Sequence, residues 1–188
     1  LVASQKVSVK GIITTPPYKS KKDRVKNPVH TFAEHHRLDV FTPSTLSSSE
    51  LETITQTIQK VDFIVTAGYG KILPSSWLAL PKKKALNLHF SLLPELRGAN
   101  PGECAILLNK KVTGITLIEM NQEIDKGKLI YQSEIPISSG ENRESLYRKL
   151  YQLGANTLPQ ALLALNEYLE KQKQPNVPQI QWFLPPIE

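Results

Sequence analysis

Cysteine is almost absent from this chain: Cys104 is the only one in 188 residues. A lone thiol cannot build an internal disulfide framework, and such sparing use fits a reducing compartment, so a cytoplasmic location is expected. One cysteine and four scattered histidines also lack any metal-ligand spacing, and no metal is expected. No apolar run is long enough to cross a bilayer, and the amino end has no basic segment leading into an apolar core. Neither a membrane span nor a secretory leader is therefore expected. There is no Gly-x-Gly-x-x-Gly fingerprint, no Walker loop and no internal repeat. What remains is ordinary globular composition, enough for one domain with a real core. A formal charge of +6 leans toward a polyanionic partner but decides nothing alone.

Periodicity and punctuation divide the chain into alternating strands and helices. A helix end over Leu1 to Gln5 is expected, then a strand over Val7 to Ile13. Thr14 to Asn27 reads as a long polar loop carrying Lys19, Lys21, Lys22, Arg24 and Lys26, and loops of that length are usually functional or disordered. Pro28 opens a short helix to His36, and a short strand follows near Leu38 to Phe41. Ser47 and Glu50 form a capping box ahead of Leu51, Ile54 and Ile58, which share a helical face. Val61 to Ala67 is nearly continuous in apolar residues, as in a parallel strand covered on both faces. A short helix at Pro74 to Leu78 precedes a strand at 85–90. A second helix spans Pro101 to Leu108, and two strands, Val112 to Met120 and Lys128 to Ile135, form a hairpin. Leucines at helical spacing mark a final helix from Glu144 to Lys171, with Gly154 and Pro159 expected to kink or split it. Pro175, Pro178, Pro185 and Pro186 make 173–188 a proline-rich tail after a main domain at 1–172. The pattern predicts an α/β domain: a Rossmann-like, doubly wound, mostly parallel sheet with an antiparallel hairpin extension and a long last helix.

Ala85 to Pro101 is the stretch around which the rest is organised. Leu86, Leu88 and Phe90 alternate with Asn87, His89 and Ser91, so three apolar side chains take one face and three polar ones the other. Asn87 and His89 then stand about 6–7 Å apart on that face. Polar groups buried at a strand end are costly unless hydrogen-bonded, and such ends are where ligands bind in open α/β sheets. His89 is the best general acid or base, and Asn87 can donate to an oxyanion. Asp125, in the hairpin loop, could orient the imidazole. Each residue alone also has a plain structural explanation: a satisfied core histidine, or a turn aspartate.

Three ordered blocks resemble the formyltransferases that use 10-formyltetrahydrofolate. They are Asn87 to Pro94 with Arg97 to Pro101; Gly114 to Leu117 with Ile124 to Gly127; and Gly68 to Pro74. Arg97-Gly98-Ala99 and Asn27-Pro28-Val29 are most similar to the branch acting on methionyl-tRNA, and the likeness covers nearly all of 7–170. The family's opening strand and the branch's carboxy-terminal β-barrel have no counterpart in this chain, so it is expected to correspond to a catalytic core. The resemblance implies that an amine attacks the formyl carbon, with Asn87 and protonated His89 stabilising the oxyanion and Asp125 holding the imidazole. It implies a folate site made of Gly68, Tyr69, Gly70, Ile72, Leu73, Leu86, Leu88, Leu92, Pro94, Ile124 and Gly127, with Ser91 in support. It places Lys19, Lys21, Lys22, Arg24 and Lys26 on the acceptor arm of an initiator methionyl-tRNA, with the protein acting as a monomer. An amino-sugar nucleotide as acceptor, or a non-catalytic binding relative, are the alternatives.

Overall fold

In the computed structural model the described residues are 1–172 apart from 3, 20–23, 26 and 59. The proline-rich tail therefore lies outside the described residues, as do Lys21, Lys22 and Lys26.

Four strands form the main sheet in chain order: β5 (Phe63–Thr66), β6 (Lys84–His89), β7 (Val112–Glu119) and β8 (Leu129–Pro136). β5 and β6 are parallel, whereas β6–β7 and β7–β8 are antiparallel. A second parallel pair joins β1 (Ile12–Ile13) to β4 (Val40–Phe41). Between 14 and 27 the chain is not without regular structure, because β2 (Tyr18–Lys19) and β3 (Arg24–Val25) pair antiparallel. The first residues form turns rather than the end of a helix, and the expected strand at 7–13 is paired only at Ile12 and Ile13.

Helices cover both faces of the sheet, as the alternation of apolar residues requires. Leu86, Leu88, Ile115 and Leu117 share a core with Leu146, Leu150 and Leu162 of α5 (Arg143–Gln172). On the other side Ile54 of α2 (Ser48–Thr57) and Trp77 of α3 (Ser75–Leu78) pack with Leu46 and Leu73, and Ile64 joins them. The smaller helices α1 (Pro28–His35) and α4 (Pro101–Leu107) complete the set. β5 was expected to be covered on both faces, but all four of its residues are only half-buried. Its one ladder partner among the described residues is β6.

Gly154 and Pro159 do not split α5, which runs as one helix. Interior proline costs a helix about 3 kcal/mol. Against that, Leu146, Leu150, Leu158, Leu162 and Leu165 are all buried, and each buried leucine contributes about 1.5–3 kcal/mol. Gly154 also has a packing role: a Cβ there would lie 2.7 Å from Leu88 Cδ2, so the bare backbone lets α5 close on β6. No helix among the described residues is long and apolar enough to cross a membrane.

The predicted capping box is present. Ser47 accepts from the Glu50 N–H, and the Glu50 carboxylate accepts from the N–H groups of Ser44, Thr45 and Ser47. The Thr45 hydroxyl is the largest influence on Glu50; desolvation opposes it and the backbone donors reinforce it, so the pKa falls from 4.5 to about 2. A carboxyl depressed on folding stabilises the fold above its unfolded pKa, and that contribution is lost as pH falls through the folded value. Urea unfolding between pH 4.5 and about 2 should therefore show Glu50→Gln losing less stability with acid than the wild type. Parallel acid profiles would mean that Glu50 is not the group responsible.

Candidate functional site

The polar face of β6 meets the hairpin loop at one carboxylate. Asn87 Nδ2 donates to Asp125 Oδ1 at 3.2 Å, and the Gly98 N–H donates to Asp125 Oδ2 at 2.7 Å. His89 Nδ1 lies 3.4 Å from the same Oδ2, with both side chains almost fully buried, at 6% and 9% exposure. The Asp125 carbonyl accepts from Arg97 Nε at 3.1 Å. The three residues that the sequence nominated for chemistry are thus brought together.

Neighbouring groups fix the orientation of each of them. The Thr66 hydroxyl donates to Asn87 Oδ1 at 2.8 Å, which directs the amide nitrogen toward Asp125. A carboxamide nitrogen has two hydrogens, so one remains for the cavity. His89 Nε2 lies 2.9 Å from the Leu96 carbonyl. A carbonyl can only accept, so Nε2 carries a hydrogen, and Nδ1 is the nitrogen left to exchange a proton beside Asp125.

The loop that supplies these partners is fastened to β7. Thr116 is fully buried; its hydroxyl donates to the Ser91 carbonyl at 2.6 Å and accepts from the Leu93 N–H at 3.0 Å and from Gln132 at 2.9 Å. The Leu93–Pro94 bond is cis. Ser91 donates to the Glu95 carbonyl at 2.7 Å, which shapes the turn that delivers Leu96. Gly98 has φ +89°, a conformation that glycine adopts without penalty. Asp125 has φ 52°, in the left-handed region that aspartate tolerates better than most residues.

Asn87, His89 and Asp125 open into a cavity of about 800 Å³. Gly68, Tyr69, Gly70, Ile72 and Leu73 line it, as do Leu88 and Ile124. Five of the expected folate residues do not. Leu86 is packed into the α5 core, and Leu92 lies against Gly114. Ser91 and Pro94 belong to the turn. Gly127 is at the root of the hairpin, where a Cβ would meet the Glu119 carbonyl at 1.6 Å. Lys19 and Arg24 lie in the β2–β3 ladder. Among the described residues no three or more His, Cys, Asp or Glu side chains are grouped to hold a metal ion.

Sequence reasoning missed Thr66 and the wall contributed by α5. Arg143, Tyr147 and Tyr151 recur every four residues, a second stripe beside the leucines, and all three line the cavity. Glu103 ties this wall to α4. Burial pushes its carboxyl up, but hydrogen bonds from Arg143 and Tyr147 outweigh that and hold it below the usual range.

Residues 2–162 match a protein-family model described as formyl transferase. The chain is 38% identical over 157 residues to a methionyl-tRNA formyltransferase of Ehrlichia canis, covering 83% of this chain and 51% of that protein. It is 40% identical over 159 residues to the enzyme of the same name from Staphylococcus aureus strain JH1, covering 83% and 50%. The chain thus spans about half the length of these curated relatives. Among solved structures, phosphoribosylglycinamide formyltransferase from Bacillus halodurans superposes with a TM-score of 0.67 at 28% identity, over 84% of this chain and 80% of that one.

If the Asp125 carboxylate holds the 96–98 turn, Asp125→Ala should release it. Hydrogen exchange at the Gly98 amide, resolved by NMR, should speed up by about tenfold or more, the equivalent of one lost charge-assisted hydrogen bond. Unchanged protection would show that the turn holds itself.

Proposed function

The chain belongs to the formyl transferase family, and from that premise we propose that it transfers a formyl group from 10-formyltetrahydrofolate to the amino group of methionyl-tRNA. The observation that carries this reading is the meeting of Asn87 and His89 at the Asp125 carboxylate on the cavity wall. The names of the curated relatives and the basic segment from Lys19 to Lys26 favour RNA over a small amine as the acceptor.

The cavity fits a folate. Ile72, Leu73, Leu88, Ile118 and Ile124 provide apolar wall, as a flat heterocycle requires. The Tyr69 hydroxyl is buried and has no hydrogen-bond partner among the described residues, so the same wall contains an unspent polar group. The Gly68–Leu73 segment and Ile124 would hold the folate, which when bound supplies the formyl group. The free Asn87 amide hydrogen is then available to the formyl oxygen as charge develops there. His89 takes the proton of the attacking amine at Nδ1, since Leu96 occupies Nε2, and gives it to the leaving folate nitrogen as the bond from that nitrogen to the formyl carbon breaks. Asp125 steadies the resulting imidazolium by its charge and keeps the ring from turning.

The test is formyl transfer from 10-formyltetrahydrofolate to methionyl-tRNA, with an amino-sugar nucleotide and glycinamide ribonucleotide as rival acceptors. His89→Ala should lower transfer at least ~100-fold, the lower end for general acid–base catalysis, while the variant still folds cooperatively with a melt lowered by the loss of a partner of Asp125. Wild-type turnover by that variant would remove His89 from the mechanism, and formylation of a small amine alone would replace the RNA reading.

A salt series of tRNA binding examines the basic segment. Replacing Lys21, Lys22 and Arg24 together by Ala should flatten the logarithmic salt slope by roughly two to three units and leave folate affinity unchanged. Equal slopes would reduce the segment to a solvated connection.

A further inference from the structure

The α5 wall has no part in the transfer described above, yet it faces the same cavity. Arg143, Tyr147 and Tyr151 lie in one row because residues four apart are neighbours on a helix surface. Tyr151 is 51% exposed although its ring sits on a concave wall. The ring is backed by Phe90, edge to face, with centroids 4.7 Å apart. Its hydroxyl reaches toward the segment after β5: a Cβ on Gly68 would lie 3.2 Å from it. Tyr151 is therefore a supported aromatic surface between α5 and the wall assigned to the folate.

Its neighbours are held in place and include two arginines. The Tyr147 hydroxyl donates to Glu103 at 2.8 Å and accepts from the Gly102 N–H at 3.3 Å. Burial, and then the Glu103 hydrogen bond, push its pKa up to about 12, so it stays neutral. The Arg143 guanidinium lies 5.4 Å from the Tyr147 ring centroid and pairs with Glu103. Arg148 pairs with Glu144 at 2.9 Å. The two arginines are 71% and 78% exposed, so these pairs are weak and donors remain toward solvent.

We propose that this wall is the subsite for the terminal nucleoside of the RNA acceptor, with its base stacked on Tyr151 and the preceding phosphate met by Arg143 and Arg148. The inference rests on the RNA reading above. Proteins recognise single-stranded RNA ends by stacking splayed bases on aromatic rings and by pairing arginine with the backbone. Tyr151 lines the same cavity as Asn87 and His89, so a base stacked there brings the ribose, and the aminoacyl group esterified to it, into the cavity that holds them. Glu144 also lines the cavity and Glu103 lies behind Arg143, so each arginine has a carboxylate beside it and only its outward donors are left for a phosphate.

Binding of a short single-stranded RNA without an amino acid, followed by fluorescence anisotropy, separates this subsite from the chemistry. Tyr151→Ala should weaken binding by about tenfold, the scale of one lost base stack, while Tyr151→Phe stays within about twofold. The same RNA with an abasic terminal residue should bind wild type and Tyr151→Ala alike, because a stack needs both partners. Arg143→Gln with Arg148→Gln should lower the salt slope by one to two units, in rough proportion to the phosphate charge they neutralise. Equal binding by wild type and Tyr151→Ala, or an equal loss with intact and abasic RNA, would overturn the subsite. Transfer to methionyl-tRNA with an unaltered KM in Tyr151→Ala would overturn it and leave the proposed function standing. Base-dependent RNA binding without any formyl transfer would support the subsite and sink the catalytic reading.

Discussion

A single buried carboxylate sets the geometry of the cavity floor. Asp125 accepts from Asn87 and from the Gly98 N–H and faces His89 Nδ1, so a strand, a turn and a hairpin loop meet at two oxygens. An anion removed from water is tolerable only when its lone pairs are used, and losing one partner of such a pair costs roughly 3–5 kcal/mol. This requirement accounts for the segments around it. The 96–98 turn brings an N–H to one oxygen, and the left-handed backbone at Asp125 turns the carboxylate inward. Arg97 then takes up the carbonyl that this conformation leaves pointing outward.

The same economy governs the strand opposite. β6 places Leu86 and Leu88 in the α5 core and presents Asn87 and His89 to the cavity, so one strand serves the core and the candidate site on alternate residues. A shift of one residue in its register would reverse both assignments, which makes the register costly to disturb. That register is secured from two sides: β5 pairs along it, and β7 sets His89 opposite Thr116. Thr116 in turn spends its hydroxyl on the Ser91 to Leu93 turn. The polar face is rigid because the apolar face is packed, and Gly154 lets α5 come close enough to achieve this.

Thr66 shows how a modest residue acquires a role through its neighbours. Its position in the sequence is that of an ordinary β-branched residue at the end of an apolar run. Its hydroxyl nevertheless decides which way the Asn87 amide points, and hence which atoms face the cavity. The α5 row is similar. Arg143, Tyr147 and Tyr151 read as the exposed side of a helix whose leucines claimed attention first, and only the approach of α5 to Phe90 makes them part of a cavity wall.

The sequence by itself determined whatever depends on the backbone geometry of adjacent residues. The alternation at 85–90, the Ser47–Glu50 capping box, the hairpin around Asn121 to Gly127 and the leucine stripe of the last helix could all be read, because strand and helix periods act over a few positions. The three ordered motif blocks also pointed to Asn87, His89 and Asp125. Tertiary structure alone decided what depends on distant partners. It brought Asp125 to the imidazole and Thr66 to Asn87, and it kept α5 whole across Pro159 by burying its leucines. It also paired Tyr18–Lys19 with Arg24–Val25 inside a stretch that reads as loop, and it turned Leu86 and Leu92 away from the cavity. These contacts are made between segments far apart in the chain, and their free energies arise only when sheet register and helix packing have put both partners in place.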